Sequence, residues 1–597
     1  MKSFFKTTLA SILGFMIGGT LLIFLLVGIF GVIAASADKT PQVKNNSILE
    51  IGFDYSIADN AASNPFKDFN PRSFKVEHKL GLNAILESIE NAKTDDRIKG
   101  IFMNMIDVSA NFGSMATIEE IRNKLIEFKE SNKFIIAYSD ITYSQKSYYL
   151  ATVADKVYFN PGGMFFWSGM GGEMTFYKKA LAKLGIEPQV IRHGKYKAAV
   201  EPFLLDKMSD ANREQVMKYV GGMWHHILKG ISKERNISVQ KLNELADNFK
   251  LRDANELVKE GLFDKAIYYD EVLDELRTLT NVDKDKKLHR ISLKSYTKVP
   301  AEHKEYSKNK IAVIYAAGEI GMEQSSSSIG PALAATIRKV RKNDKIKAVV
   351  LRVNSPGGSA LTSEIIWREM KLLQAKKPVI VSMGNVAASG GYYIACAADT
   401  IVASPNTITG SIGIFGLFFS GEDLIKNKIG LNTDSFGTNK HSGFGGGNPL
   451  PIPLTSRKLT TFERKVMQEY IEKGYKSFVD KVAAGRHMTF AQIDAIGQGR
   501  VWTGEDALKI GLVDVLGGLE KAIEIAKEKA NLTKCSIVNY PKEKDPFTEF
   551  MSEFTAQAKT RAIASELGTS YIYFKQVKDI LDNEGIQARI PYDLEIK

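Results

Sequence analysis

The chain has little from which metal or disulfide sites are built. Only two cysteines, Cys396 and Cys535, occur in 597 residues, too few for a disulfide framework or a multi-cysteine zinc site. Its eight histidines are scattered. There is no HExxH, and the only adjacent pair, His225 and His226, lacks metal-ligand spacing. A GxxxxGK[ST] phosphate loop is absent, as is a GxGxxG turn between a strand and a helix. So is a GxSxG elbow, because in TGSIG (409–413) Thr409 stands where the elbow needs glycine. Proline is held to 17 positions while 44% of residues are apolar and 25% charged, which excludes a disordered or collagen-like chain. The excess of 80 basic over 68 acidic residues, +12, is modest and spread out. It fits a solvated mixed-charge surface and not nucleic-acid binding. The length excludes a single small binding module, since it corresponds to roughly three to five domains.

One long uncharged run is present. No residue from Thr7 to Ala37 is charged, more than the roughly 20 residues that cross a hydrocarbon core. Lys2 and Lys6 precede the run and Asp38 follows it, so the positive-inside rule predicts a cytoplasmic amino terminus and a body on the other side. Ala35-Ser36-Ala37 resembles a cleavage site, but the run is longer than a secretory apolar region of about 7–15 residues. An uncleaved anchor over residues 1–38 is expected. Gly14 and Gly18 form a weak GxxxG step.

Beyond the anchor, the chain repeats itself. TDDRIKGIFMNM (94–105) matches KNDKIKAVVLRV (342–353), NKFIIAYSD (132–140) matches KPVIVSMGN (377–385), and SYYLATVADKVYFNP (147–161) matches GYYIACAADTIVASP (391–405). Three blocks keep the same order at an offset of roughly 245, the mark of a duplication. Strands alternate with amphipathic stretches at 117–131 and 332–343, which predicts two α/β domains of strand–helix units. The first repeat is expected over 45–285 and the second over 311–540. A lysine-rich linker, 286–310, lies between them, and a polar, mostly helical tail over 541–597 follows.

Small-residue turns concentrate in the second repeat: VNSPGGS (353–359), AASGGYY (387–393) and TGSIGIFG (409–416). Three such turns at successive strand ends point to backbone N–H groups that approach a ligand closely. The first repeat has diverged here. It carries Gln145 where the second has Ser389, and DVSANFGS (107–114) where the second has the SPGGS turn. Conversely, LGIEPQVIRHGKYKAAVEPF (184–203) aligns with IGLNTDSFGTNKHSGFGG (429–446), setting Lys197 against Ser442. Complementary loss is what a single site built from both copies leaves behind. A serine hydroxyl needs a base, and a lysine amine serves if burial lowers its pKa. Ala198, Ala199 and Val200 give Lys197 a small apolar context, with Lys195 as the rival base.

At VNSPGGSALTSEI, MGNVAASGGYYIACAADTIVASPNTITGSIGIFG and GKYKAAVEPF the sequence resembles the long, duplicated form of the signal peptide peptidase A family. These are membrane-anchored bacterial serine peptidases related in fold to Clp protease and crotonase proteins. The resemblance covers about residues 45–540 and the anchor, and leaves the tail outside it. It implies Ser389 as nucleophile, Lys197 as general base, and Ser411 as the serine that orients the lysine. It further implies the backbone N–H groups of Gly357 and Gly390 as oxyanion donors. It implies no cofactor and no metal. Its peptide substrates are apolar, such as cleaved signal peptides, and its assembly is a homotetramer. The location it implies is the bacterial inner membrane, single-pass, with the catalytic body on the periplasmic side. A crotonase-like acyl-CoA enzyme and a non-catalytic membrane scaffold are the competing readings. Segments 411–419 and 162–169 are expected to line the site with apolar surface.

Overall fold

The computed structural model describes residues 6, 13–20, 40–60, 69–70, 75–76, 79–106, 108, 112–249, 253–300, 307–322, 328–450, 453–541 and 585–589. The uncharged run lies mostly outside these. Among the described residues no helix is long and apolar enough to cross a membrane.

The duplication is visible as two parallel sheets with one strand order. In the first repeat the order is Lys265–Ala266, Lys156–Phe159, Phe134–Ser139, Ile98–Asn104, Ser47–Gly52, Arg290–Ser292. In the second it is Val515–Leu516, Thr400–Ala403, Val379–Ala388, Ile346–Ser355, Lys310–Ala317, Ser536–Tyr540. The central strands are almost continuously apolar because helices cover both faces of a parallel sheet. Ile101, Phe102 and Met103 in one copy and Val349, Val350 and Leu351 in the other are fully enclosed. The amphipathic stretches form helices Met115–Lys129 and Ala332–Arg341. The first starts where Ser114 accepts a hydrogen bond from the Thr117 N–H, and it buries Ile118, Ile121, Leu125 and Phe128 at helical spacing. Among the described residues the second sheet alone is extended, by Ile408–Gly410 and Val501–Thr503.

Part of the expected linker is not a linker. Arg290–Ser292 completes the first sheet, and helix Leu293–Tyr296 buries Leu293 and Tyr296 in the first core. The apolar residues Ile291, Leu293 and Tyr296 are spaced among lysines closely enough to anchor the segment while the charges stay in water. Of the tail expected to be helical, residues 585–589 are described as a strand, Gly585–Arg589.

The repeats are tied together in three ways. A mixed sheet takes Glu187–Arg192 from the first repeat and sets it antiparallel to Phe415–Ser420 of the second, followed by Gly585–Arg589, Gly357–Ser359, Glu319–Ile320 and Ser328–Ile329. Helix Asp210–Arg235 packs Tyr219 and Met223 against Ala388, Ile408 and Val501, then buries Ile227, Leu228 and Ile231 in the first core. Finally, Arg352 of the second repeat is enclosed between first-repeat carboxylates. Its Nε donates to Asp59 at 2.7 Å and its Nη2 to Glu120 at 2.6 Å, while Nη1 reaches Ser382 Oγ at 2.9 Å. A buried guanidinium is tolerated only when its donors are matched in this way.

Candidate active site

Ser389 follows strand Val379–Ala388 and precedes helix Gly390–Ala395. The strand enters the turn beside Ile408–Gly410, and the Ser389 N–H donates to the Gly410 carbonyl at 2.8 Å. Its carbonyl accepts from the Tyr393 N–H at 2.8 Å, the first bond of the helix. Held from both sides, Ser389 adopts φ 55°, and Ser411, whose N–H donates to the Arg500 carbonyl, adopts φ 50°. Positive φ costs a residue with a side chain roughly 1–3 kcal/mol and is kept where surrounding structure overrides it.

The lysine reaches this point from the other repeat. After Glu187–Arg192 the chain turns at Gly194, and the Tyr196 N–H donates to the Gln498 carbonyl at 3.0 Å. Gln215 clamps the turn: its amide donates to the Tyr196 carbonyl at 3.1 Å and its Oε1 accepts from the Val501 N–H at 3.2 Å. Gly499, at φ 84°, lies directly against the Lys197 backbone, where a Cβ would sit 2.6 Å from the lysine nitrogen. Only glycine allows that approach.

Lys197 Nζ lies 2.7 Å from Ser389 Oγ, 3.1 Å from Ser411 Oγ and 3.2 Å from the Ser411 carbonyl oxygen. Lys197, Ser389 and Ser411 are each 1% exposed or less. Burial holds the Lys197 amine well below its usual value of 10.5, because the charged form is penalised out of water. Phe415, whose ring centroid is 6.0 Å from Nζ, is the aromatic neighbour. Lys195, by contrast, is exposed, with its amine over the Tyr196 ring. The structure therefore brings together Lys197, Ser389 and Ser411 and leaves Lys195 outside.

Gly357 and Gly390 are also at the site and touch each other: a Cβ on Gly390 would sit 3.1 Å from the Gly357 Cα. Gly357 has φ 100°, and its N–H donates to Ser355 Oγ at 3.2 Å. The first copy holds a glutamine at the same position. Gln145 Nε2 donates to the Gly169 carbonyl at 2.9 Å, and its Oε1 accepts from the N–H groups of Ser168 and Gly169. Ser442, opposite Lys197 in the alignment, lies on an exposed segment.

The expected apolar lining is half corrected. Ile412, Ile414, Phe415 and Leu417 are buried beside the site, whereas Phe165 and Trp167 of segment 162–169 pack with Tyr148 in the first core. Their aromatic content placed them at the site in the sequence reading, but those rings fill an interior. The sequence reading missed Gln215 and Gly499, which carry no motif. It also missed the strand Gly585–Arg589, whose signal was alternation: Ile586 and Ala588 point to one face.

Peptidase family S49 matches residues 127–283 and 371–533, and Clp protease matches 303–409. The chain is 35% identical over 569 residues to the chloroplastic serine protease SPPA of Arabidopsis thaliana, covering 92% of this chain and 78% of that one. It is 34% identical to Protease 4 of Haemophilus influenzae, over 85% of this chain and 83% of the relative. To Protease 4 of Salmonella typhi it is 37% identical, over 80% and 76%. A family match over both repeats, and relatives of this identity along most of their length, establish that the chain belongs to peptidase family S49 and is a serine protease of the duplicated SppA type.

Proposed function

We propose that this serine protease works through a dyad of Ser389 and Lys197 and degrades apolar peptides, such as cleaved signal peptides, from a membrane anchor. The observation that carries the reading is the 2.7 Å approach of a buried, desolvated amine to a buried hydroxyl. Neutral Lys197 takes the hydroxyl proton as Ser389 Oγ attacks the scissile carbonyl carbon. Charge develops on the carbonyl oxygen against the N–H groups of Gly357 and Gly390. The lysine, now an ammonium ion, protonates the leaving amine; neutral again, it activates the water that releases the acyl group. Ser411 holds Nζ in place throughout, and the chemistry asks for no cofactor.

The apolar preference rests on the enclosed side chains of 412–417, against which an extended peptide gains roughly 1.5–3 kcal/mol per buried apolar side chain. The anchor rests on the uncharged run from Thr7 to Ala37, with the body on the periplasmic side of an inner membrane. Assembly into a homotetramer is supported by an unmatched pair of edges. Strand Glu187–Arg192 adds to Phe415–Ser420 within the chain. The corresponding second-repeat segment, 431–440, is fully exposed and forms no strand, and the corresponding acceptor, 171–176, is also strandless and largely exposed. Joining these between copies is a head-to-tail contact, the kind that closes into a ring.

A fluorophosphonate probe followed by peptide mapping tests the dyad. Labelling at Ser389, lost in Lys197→Ala, is expected; an unlabelled Ser389 in folded protein overturns it.

A further inference from the structure

The buried amine is enclosed by two segments far apart in sequence, and one side chain touches both. The first segment delivers the lysine: strand Glu187–Arg192 ends, His193 follows, and the turn at Gly194 leads to Lys197. The second is the loop from Gly497 to Arg500. Its Gln498 carbonyl accepts from the Tyr196 N–H at 3.0 Å, and a Cβ on Gly194 would fall 2.5 Å from that same oxygen. The Gly499 N–H donates to the Ile412 carbonyl at 2.7 Å, and the Gly499 carbonyl accepts from Ser411 Oγ at 3.3 Å. The Arg500 carbonyl accepts from the Ser411 N–H at 2.7 Å. The loop thus sets the backbone of the lysine and that of the serine beside it.

The loop is itself under strain, because Gln498 has φ 53°, a left-handed conformation that is costly for a residue with a side chain. Tyr475, on helix Thr461–Arg486 and 2% exposed, opposes that cost. Its hydroxyl accepts from the Gln498 N–H at 3.1 Å and donates to Asp494 Oδ1 at 2.5 Å. Its ring stacks on the His193 imidazole, with centroids 3.8 Å apart and planes inclined by 24°. Glu472, on the same face of the helix, pairs with His193 Nδ1 at 2.6 Å and keeps the imidazole over the ring.

We propose that Tyr475 is a positioning residue for the general base. Its ring braces the segment that delivers Lys197, and its hydroxyl fixes the loop that closes over it. The inference rests on the Ser389–Lys197 reading above. Without the hydroxyl the Gln498 N–H loses its acceptor, and the loop relaxes away from positive φ. Gly499 then no longer confines the Lys197 backbone, and Nζ spends less time at its 2.7 Å approach to Ser389 Oγ. Proton transfer needs the base within hydrogen-bond reach, so the displacement costs rate and not peptide binding.

Tyr475→Phe keeps the stack and removes only the hydroxyl. In the full-length protein it is expected to lower kcat for an apolar reporter peptide about tenfold with KM within about twofold, and to slow fluorophosphonate labelling of Ser389 by the same factor. The probe needs the base but little of the peptide site, so labelling separates a displaced amine from altered peptide binding. Tyr470→Phe, exposed on the same helix, is expected to match wild type in both readouts. Asp494→Ala, which removes the acceptor of the hydroxyl, is expected to reproduce part of the loss, and Asp494→Asn, which keeps an acceptor oxygen, to recover it. That pair decides the matter if Tyr475→Phe does not fold. Wild-type rates in Tyr475→Phe, a lower kcat with unchanged labelling, or equal activity in the two Asp494 variants overturn the proposal and leave the dyad standing. Wild type that hydrolyses the reporter without labelling at Ser389 overturns the dyad, and the proposal with it.

Discussion

The two repeats share six parallel strands in the same order, yet at one corresponding turn the first places Gln145 and the second Ser389. In the first copy the side chain ties the turn to Ser168 and Gly169. In the second it has given up such ties and faces a buried amine. Keeping the scaffold twice while changing the residue at this turn shows that the sheet fixes where a side chain points and not what it does.

The largest effect that would break this comparison is loss of either half of the pair. Ser389→Ala and Lys197→Ala are each expected to lower kcat/KM by roughly 10⁴-fold or more, and the double variant to be no worse than either, because the members act as a unit. Lys195→Ala is expected to keep most activity. Steady-state hydrolysis of an apolar reporter peptide checks all four, and substantial activity in Lys197→Ala would return the lysine to a structural role. Next in size is Ser411→Ala, expected to cost about 10- to 1000-fold in kcat, as for loss of one oriented polar group.

The pH profile sharpens the comparison further. Only the neutral amine accepts the serine proton, so kcat/KM is expected to rise about tenfold per pH unit below the lowered Lys197 pKa and then level off. A flat profile from about pH 6 to 10 would deny the lysine that role.

Stability is expected to rise with pH as well. The unfolded chain binds a proton at Lys197 up to its usual 10.5 while the folded one releases it earlier. Stability from this group therefore rises with pH between the two values and is reduced below them. Lys197→Met is expected to be inactive but to melt higher at neutral pH, by about 2–4 °C for each kcal/mol recovered. A lower melting temperature would mean that the amine is not held neutral. The smallest expected effect belongs to the first copy: Gln145→Ala removes partly exposed hydrogen bonds to Ser168 and Gly169, each worth about 0.5–1.5 kcal/mol, yet leaves kcat/KM within about twofold. Loss of activity there would show that the silent copy supports the active one.

Much of this was legible in the residues. The duplicated blocks are the central strands of both sheets, and the apolar runs declare them because a strand buried on two faces must be apolar throughout. The serine and its glycines stood out by contrast between copies. The choice of Lys197 over Lys195 came only through the resemblance, since both sit in one short turn and what separates them is the distant Gly499 and Gly413 closing over one of them. The segment around Ile291 was misread because lysine density hid three anchoring side chains. Strand Gly585–Arg589 was missed because five residues of alternation are too short to compete with a helical-looking neighbourhood.

Lys197 and Ser389 are 192 residues apart in the chain, and the first is synthesised long before the second. On the proposed dyad, until Phe415–Ser420 has zipped onto Glu187–Arg192, the serine has no base and the lysine no serine. On that reading the protease is born unarmed: a half-made or unfolded copy holds an ordinary hydroxyl and an ordinary amine, and hydrolysis begins only when both halves of the chain have finished folding around each other.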